Sequence, residues 1–177
     1  LAERQRTGKG LMRPELSVLL AYAKIWLYEE LLASSLPDDA YLERELELYF
    51  PEALRKKHAD DIEHHQLARE IVATAVTNSV VNRGGCHFVF TMMDRAERDA
   101  VAVTRAYLLA RESFRMRDVW QEIDALDNKV AASVQIRMHR MVQSTLYNVT
   151  HGFLNLPNLP TKLAPAMEAY GRDVEAL

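Results

Sequence analysis

Apolar residues recur at spacings of three and four along almost the whole chain, and that period constrains the fold more than any motif does. A repeat near 3.6 residues belongs to an α-helix, whereas a half-buried strand alternates every second residue. From Pro14 to Ser34, one stripe comprises Leu16, Leu19, Leu20, Ala23, Leu27 and Leu31. A second comprises Val18, Tyr22, Ile25 and Leu32, which leaves Ser17, Lys24, Tyr28 and Ser35 to mark a polar face. A helix apolar on most of its circumference should be enclosed by others. This first long helix is therefore predicted to lie buried at the centre of a bundle, with Pro14 in its first turn, where a missing N–H costs nothing.

The pattern continues to the end. A turn at Leu36-Pro37-Asp38-Asp39 leads into a short helix, Tyr41 to Phe50, which stops before Pro51 because the residue before proline avoids the helical region. His58 to Arg83 reads as one long helix whose inner face is Ala68, Ile71, Val72, Ala75, Ser79 and Val80, ended by Gly84-Gly85. Cys86 to Phe90 is the one strand-like run; lacking a partner strand, it is expected to be an extended connector. Ala96 to Phe114 follows as a helix, then a segment opened by a capping box at Asp118 and Gln121 and interrupted near Asp127-Asn128-Lys129. Ala132 to Thr150 should turn Val134, Met138, Met141, Thr145 and Val149 inward and stop at His151-Gly152. After the proline-marked stretch Leu154 to Pro160, Leu163, Met167, Tyr170, Val174 and Leu177 form a last amphipathic stripe. The prediction is an all-α fold, an irregular bundle of about six or seven helices.

Composition excludes several function classes. The net charge is -3, with 22 basic and 25 acidic residues, so the basic excess of a nucleic-acid binder is missing. Lys24, Glu29 and Glu30 interrupt the most apolar stretch, which argues against a membrane span. A single cysteine, Cys86, forms no internal disulfide and fits a reducing cytoplasm.

Few motifs carry chemistry. Gly8-Lys9-Gly10 is too short for a phosphate loop and follows no strand. His58, Asp61 and His65 share a helical face with His64 beside them, but without a fourth ligand they read as a solvated helix start. Cys86 and His87, adjacent in an extended run, would point to opposite sides and cannot act as nucleophile and base. Glu43-Arg44-Glu45 and Arg55-Lys56-Lys57 read as solvated faces, and Met138 and Met141 as core filler. Asn82-Arg83-Gly84-Gly85 is the most specific surface feature. It reads either as an ordinary helix C-cap with a basic residue at the negative end of the dipole, or as a contact for an anion or a neighbouring domain. No catalytic, cofactor-binding or metal residue is assigned.

Four stretches together resemble one family: Gly10 to Lys24 (GLMRPELSVLLAYAK), Leu36 to Asp39 (LPDD), Val81 to Gly85 (VNRGG) and Ile123 to Val130 (IDALDNKV). Their order and spacing resemble the C-terminal region of the large bacterial class of NAD-specific glutamate dehydrogenase, across nearly the whole chain. The resemblance implies a parent that converts L-glutamate, NAD and water to 2-oxoglutarate, ammonia and NADH. It also implies that the catalytic lysine segment and the dinucleotide-binding domain lie elsewhere in that parent, since neither has a counterpart here. Residues 1–13 are then expected to be a linker from an upstream catalytic domain, and 14–177 a single C-terminal helical domain cut from a larger polypeptide. The expected role is non-catalytic: contacts with the rest of the polypeptide and with other subunits, no NAD in the fragment, no nucleic acid and no membrane. The alternatives are a regulatory ligand-binding bundle with Asn82 to Gly85 near its pocket, and an independent adaptor that binds a partner through the final helix.

Overall fold

The computed structural model describes residues 6–8 and 10–175, with side chains described as far as Gly171. Ten α-helices and two short 3-10 turns make up the described chain. Helix α1 spans Arg13–Leu32, and the turns Leu36–Asp38 and Ala40–Leu42 lead from it to α2, Glu43–Tyr49. Two short helices follow, α3 at Glu52–Lys57 and α4 at Ala59–Glu63, then α5 at Ala68–Gly84 and α6 at Phe88–Ala96. The rest are α7 at Ala100–Ser113, α8 at Met116–Asp124, α9 at Ala132–Leu154 and α10 at Leu163–Glu175. The all-α class is as the helical period predicts. The extra helices come from segments that read as one and are in fact broken.

The break within His58 to Arg83 has a local cause. A ring nitrogen of His65 lies 3.1 Å from the Leu67 N–H. An uninterrupted helix would have given that N–H to a carbonyl four residues back. Ala96 to Phe114 is likewise split, by Glu97 in the left-handed region at φ 51°, after which the Asp99 carboxylate caps α7 through the Ala102 N–H at 2.7 Å. The connector Cys86 to Phe90 is not extended: Cys86 and His87 form a turn and Phe88 opens α6. Neither does Gly152 stop α9, which runs on to Leu154. Asp118 is not an N-cap. It sits in the first turn of α8 and accepts from the Arg115 guanidinium at 2.9 Å, while Arg115 itself caps the helix at φ 47°.

The central helix is α7, not α1. Val103, Ala106, Tyr107, Leu108, Leu109 and Ala110 are all fully buried, and α7 packs against α1, α6, α8, α9 and α10. By contrast α1 buries only Ala23, Leu27 and Leu31. Its second stripe faces outward, with Val18 51%, Tyr22 66% and Ile25 54% exposed. The correction is physical: α1 meets α5 and α7 along its C-terminal half, and one flank of a helix cannot cover two stripes on opposite sides. The same reversal occurs in α9. Val134 and Met141 lie outside, and Leu146, Thr150, Phe153 and Leu154 are buried instead. Met141 is 71% exposed and fills no core.

The final helix docks within the chain as its stripe requires. Leu163 and Ala166 are buried, Met167 Sδ lies 3.8 Å from the Ser113 hydroxyl, and Tyr170 packs edge-on to Phe153 at 5.2 Å. The side chains of Val174 and Leu177 lie outside the described residues.

These two faces of α1 predict opposite responses to one type of substitution. Leu27→Ala should cost about 2–5 kcal/mol, the range for a core leucine. Ile25→Ala, on the outer stripe, should stay within about 0.5 kcal/mol in the isolated chain. Denaturant midpoints of the two variants against the parent decide it, and equal losses would mean that the outer stripe is covered.

Candidate functional site

The polar residues that the fold gathers belong to four helices. Arg111 on α7 is 1% exposed although its guanidinium is charged. Its Nη2 donates to Glu45 on α2 at 2.5 Å, its Nε to Glu112 at 2.6 Å, and its Nη1 to the Ser79 hydroxyl on α5 at 2.9 Å. Arg117 on α8 closes the ring by donating to Glu112 at 2.9 Å and to Glu45. Two guanidiniums and two carboxylates thus form a closed, neutral square inside the bundle. The Tyr107 hydroxyl meets Ser79 beside it, donating to its carbonyl at 3.0 Å.

Burial of so much charge is tolerated only because each charge faces its opposite. Burial alone would raise the Glu112 pKa, but the Arg111 and Arg117 guanidiniums outweigh it and hold the carboxyl below its ordinary value. The same carboxylates hold the Arg117 pKa above its ordinary value against the opposing effect of burial. Burial, the largest effect, raises the Tyr107 pKa.

Glu45 is the correction to the solvated face read at Glu43-Arg44-Glu45: it is 7% exposed and sits in this ring. Arg111 carried a usable signal, because it falls four residues after Tyr107 on the inward face of α7. A charge at a core position of a helix implies a buried partner. Which carboxylate would meet it was not readable, since Glu45 lies 66 residues away.

Above the ring lies a groove of about 340 Å³ between α5 and α8. Its walls carry Asn78, Asn82 and Arg83 from α5 and Arg117, Trp120 and Gln121 from α8, and Glu45 and Arg111 form its floor. The Arg83 guanidinium lies over the Trp120 ring at 4.5 Å from its centroid. A second recess of about 310 Å³ shares Asn82, Arg83 and Trp120 and continues toward Asp124 and His139.

Of the four residues singled out at the end of α5, then, Asn82 and Arg83 line the groove, while Gly84 and Gly85 serve the backbone. A Cβ on Gly84 would lie 2.6 Å from Cγ of Phe88, which is buried in the core. Gly85 has φ 96°, a conformation that side chains disfavour. The Gln143 amide on α9 donates to the carbonyls of Arg83 and Gly84, both at 3.2 Å, which satisfies the end of the helix.

The histidines do not converge. His58 pairs with Asp61 at 2.9 Å, His64 bonds back to the Asp60 carbonyl at 2.9 Å, and His65 packs against Phe50. That carbonyl bond is the main reason the His64 pKa is raised. No group of three metal-ligating side chains forms among the described residues. Cys86 is half-buried in the turn before α6, with His87 exposed beside it.

Fold and site together define an all-helical bundle domain built around a buried ion ring and opening on an arginine- and amide-lined groove. Residues 8–177 match the family described as glutamate dehydrogenase, C-terminal, and the chain belongs to that family. It is 42% identical over 154 residues to an NAD-specific glutamate dehydrogenase of Halomonas elongata, covering 87% of this chain and 10% of that protein. A second, from Pseudomonas aeruginosa, is 37% identical over the whole chain, which spans 11% of it. A third, from Mycobacterium tuberculosis, is 34% identical over 138 residues, 78% of this chain and 8% of the relative. The chain therefore spans about a tenth of the length of these curated relatives.

Three predictions test the ring and the close packing. Arg111→Met should destabilise the domain by about 3–5 kcal/mol, because Glu45 and Glu112 would remain buried without it. The sign of the pH effect follows from the lowered Glu112 pKa: its stabilisation is full above the ordinary glutamate range and is lost as pH falls through the folded-state value. Urea unfolding at a series of acidic pH values should give a shallower slope for Glu112→Gln than for the parent. Gly84→Ala should cost about 1–3 kcal/mol through overpacking against Phe88, read as a drop in thermal midpoint.

Proposed function

We propose that this chain is the C-terminal helical domain of an NAD-specific glutamate dehydrogenase, in which it makes structural contacts and supplies no catalytic group. The parent reaction would be the oxidation of L-glutamate with NAD and water to 2-oxoglutarate, ammonia and NADH. Residues 14–177 would form the domain and 1–13 its connection to the part that holds the active site. No strand occurs among the described residues, so they do not build the strand–loop–helix unit that cradles a dinucleotide. NAD is accordingly assigned to the remainder of the polypeptide. No described helix is long and apolar enough to cross a membrane; the reading places the parent in the cytoplasm.

The observation that carries this reading is the outward stripe of α1. Val18, Tyr22 and Ile25 stand four and three residues apart and more than half exposed, and Met12 and Leu16, at the start of the helix, are also open to solvent. An apolar row of this kind on a small domain marks a contact surface. Its proposed occupant is the rest of the same polypeptide, which in the relatives is some nine times longer than the matching part. Contacts with other subunits extend the same reading. The adaptor alternative loses its main support, because Leu163, Ala166 and Met167 of the final helix are spent inside this bundle.

Two measurements test the proposal. The purified chain should produce no NADH from L-glutamate above a buffer control. Tyr22→Asp with Ile25→Asp should leave the unfolding midpoint of the isolated chain almost unchanged. In the full-length enzyme the same pair should weaken domain association by about 2 kcal/mol or more, as loss of a central aromatic anchor does. Activity and assembly of the full-length double variant identical to the parent would refute the α1 contact.

A further inference from the structure

The groove above the ion ring has side-chain donors that the ring itself does not consume. Arg111 and Arg117 are balanced by Glu45 and Glu112. Arg83 stands outside that balance. It pairs with Asp124 at 3.9 Å, too long for a hydrogen bond, and the other oxygen of Asp124 meets His139 at 3.1 Å. The Arg83 guanidinium is thus charge-balanced at a distance, without a hydrogen bond to that carboxylate.

The geometry of Arg83 also matters. Its guanidinium carbon lies 4.5 Å from the centroid of the Trp120 ring, a cation–π contact that holds the side chain at the groove wall. A planar fork of N–H donors matches the two oxygens of a carboxylate better than it matches a spherical ion. The same groove is lined by Asn78 and Asn82, one helical turn apart on α5, and by Gln121 across it on α8. The cavity volume lies at the small end of the range of about 300–1,000 Å³ for ligand pockets, the size of a metabolite.

We propose that the α5–α8 groove binds a small organic carboxylate. The Arg83 fork would take the carboxylate, and the Asn78, Asn82 and Gln121 amides would read polar substituents on the rest of the molecule. The ring gives the site its rigidity: Arg117, whose guanidinium is pinned to two carboxylates, sets the position of α8 opposite α5. A wall fixed before binding reduces the ordering cost of association. The proposal deepens the anion reading of Asn82 and Arg83. It stands apart from the α1 contact and from the parent's identity, since its test uses the isolated chain alone.

The test is a titration of the chain with acetate, L-lactate, succinate and L-malate at constant ionic strength, with inorganic phosphate as the contrasting oxyanion. Amide and indole NMR signals are followed. At least one carboxylate should produce saturable shifts confined to the Asn78, Asn82 and Gln121 side chains and the Trp120 indole, with half-saturation in the millimolar range or tighter. Arg83→Gln should weaken this at least tenfold, and Asn82→Ala, at an exposed position, should weaken it without touching the fold. Saturation by phosphate as tight as by the best carboxylate would overturn the carboxylate assignment. The absence of saturable shifts with all four carboxylates would overturn the site, and so would shifts that survive in Arg83→Gln.

Discussion

A guanidinium that has lost nearly all contact with water must be surrounded by groups that replace that water, and Arg111 imposes this demand on four helices of the bundle. It draws Glu45 from α2, Ser79 from α5 and Glu112 from its own helix, and Arg117 of α8 completes the set. A pair of buried charges gains little net stability over an apolar pair of the same shape. What the ring contributes is a single allowed arrangement. Sliding α2 or α8 by one residue would leave a buried charge facing apolar carbon, which costs several kcal/mol. The helices around α7 are thereby held in one register.

The apolar surface divides into a part that this chain covers and a part that it does not. The core is one continuous cluster built around α7, from Leu27 on α1 to Leu163 and Ala166 on α10. Outside it, α1 presents Val18, Tyr22 and Ile25, and α9 presents Val134, Ile136 and Met141. Scattered exposed apolar residues are ordinary on a monomer. A row of them at helical spacing, as on α1, is what a domain shows when part of its surface belongs to an interface. The match of this chain to about a tenth of each relative agrees with that division.

Ring and groove are parts of one construction. At one end of the groove α5 and α8 meet through Arg83 on Trp120, and at its floor Ser79 of α5 is tied to Arg111 while Arg117 of α8 is tied to Glu45. Side chains long enough to bridge the two helices keep them apart instead of letting them close on each other. The end of α5 shows how one short motif is shared between duties. Gly84 admits Phe88 and Gly85 turns the chain, while Asn82 and Arg83, on the preceding turn, face the open space.

The helical period by itself determined the all-α class, the amphipathic final helix and its docking stripe, and the glycine-ended helix before Cys86. These rest on local chemistry, in which spacing, capping and backbone freedom act over a few residues. The composition also fixed a balance without basic excess, 22 basic against 25 acidic residues. Only the tertiary structure decided which stripe of α1 faces in and that α7 holds the centre. It alone showed that Val134 and Met141 point outward. A two-sided apolar helix satisfies the same local rules whichever side is covered, so the choice belongs to the partners. The Arg111–Glu45 pair was illegible for a related reason. A charge on an apolar face announces that a partner exists, but with 66 residues between the two, only the packing of α2, α5, α7 and α8 could bring that partner to it.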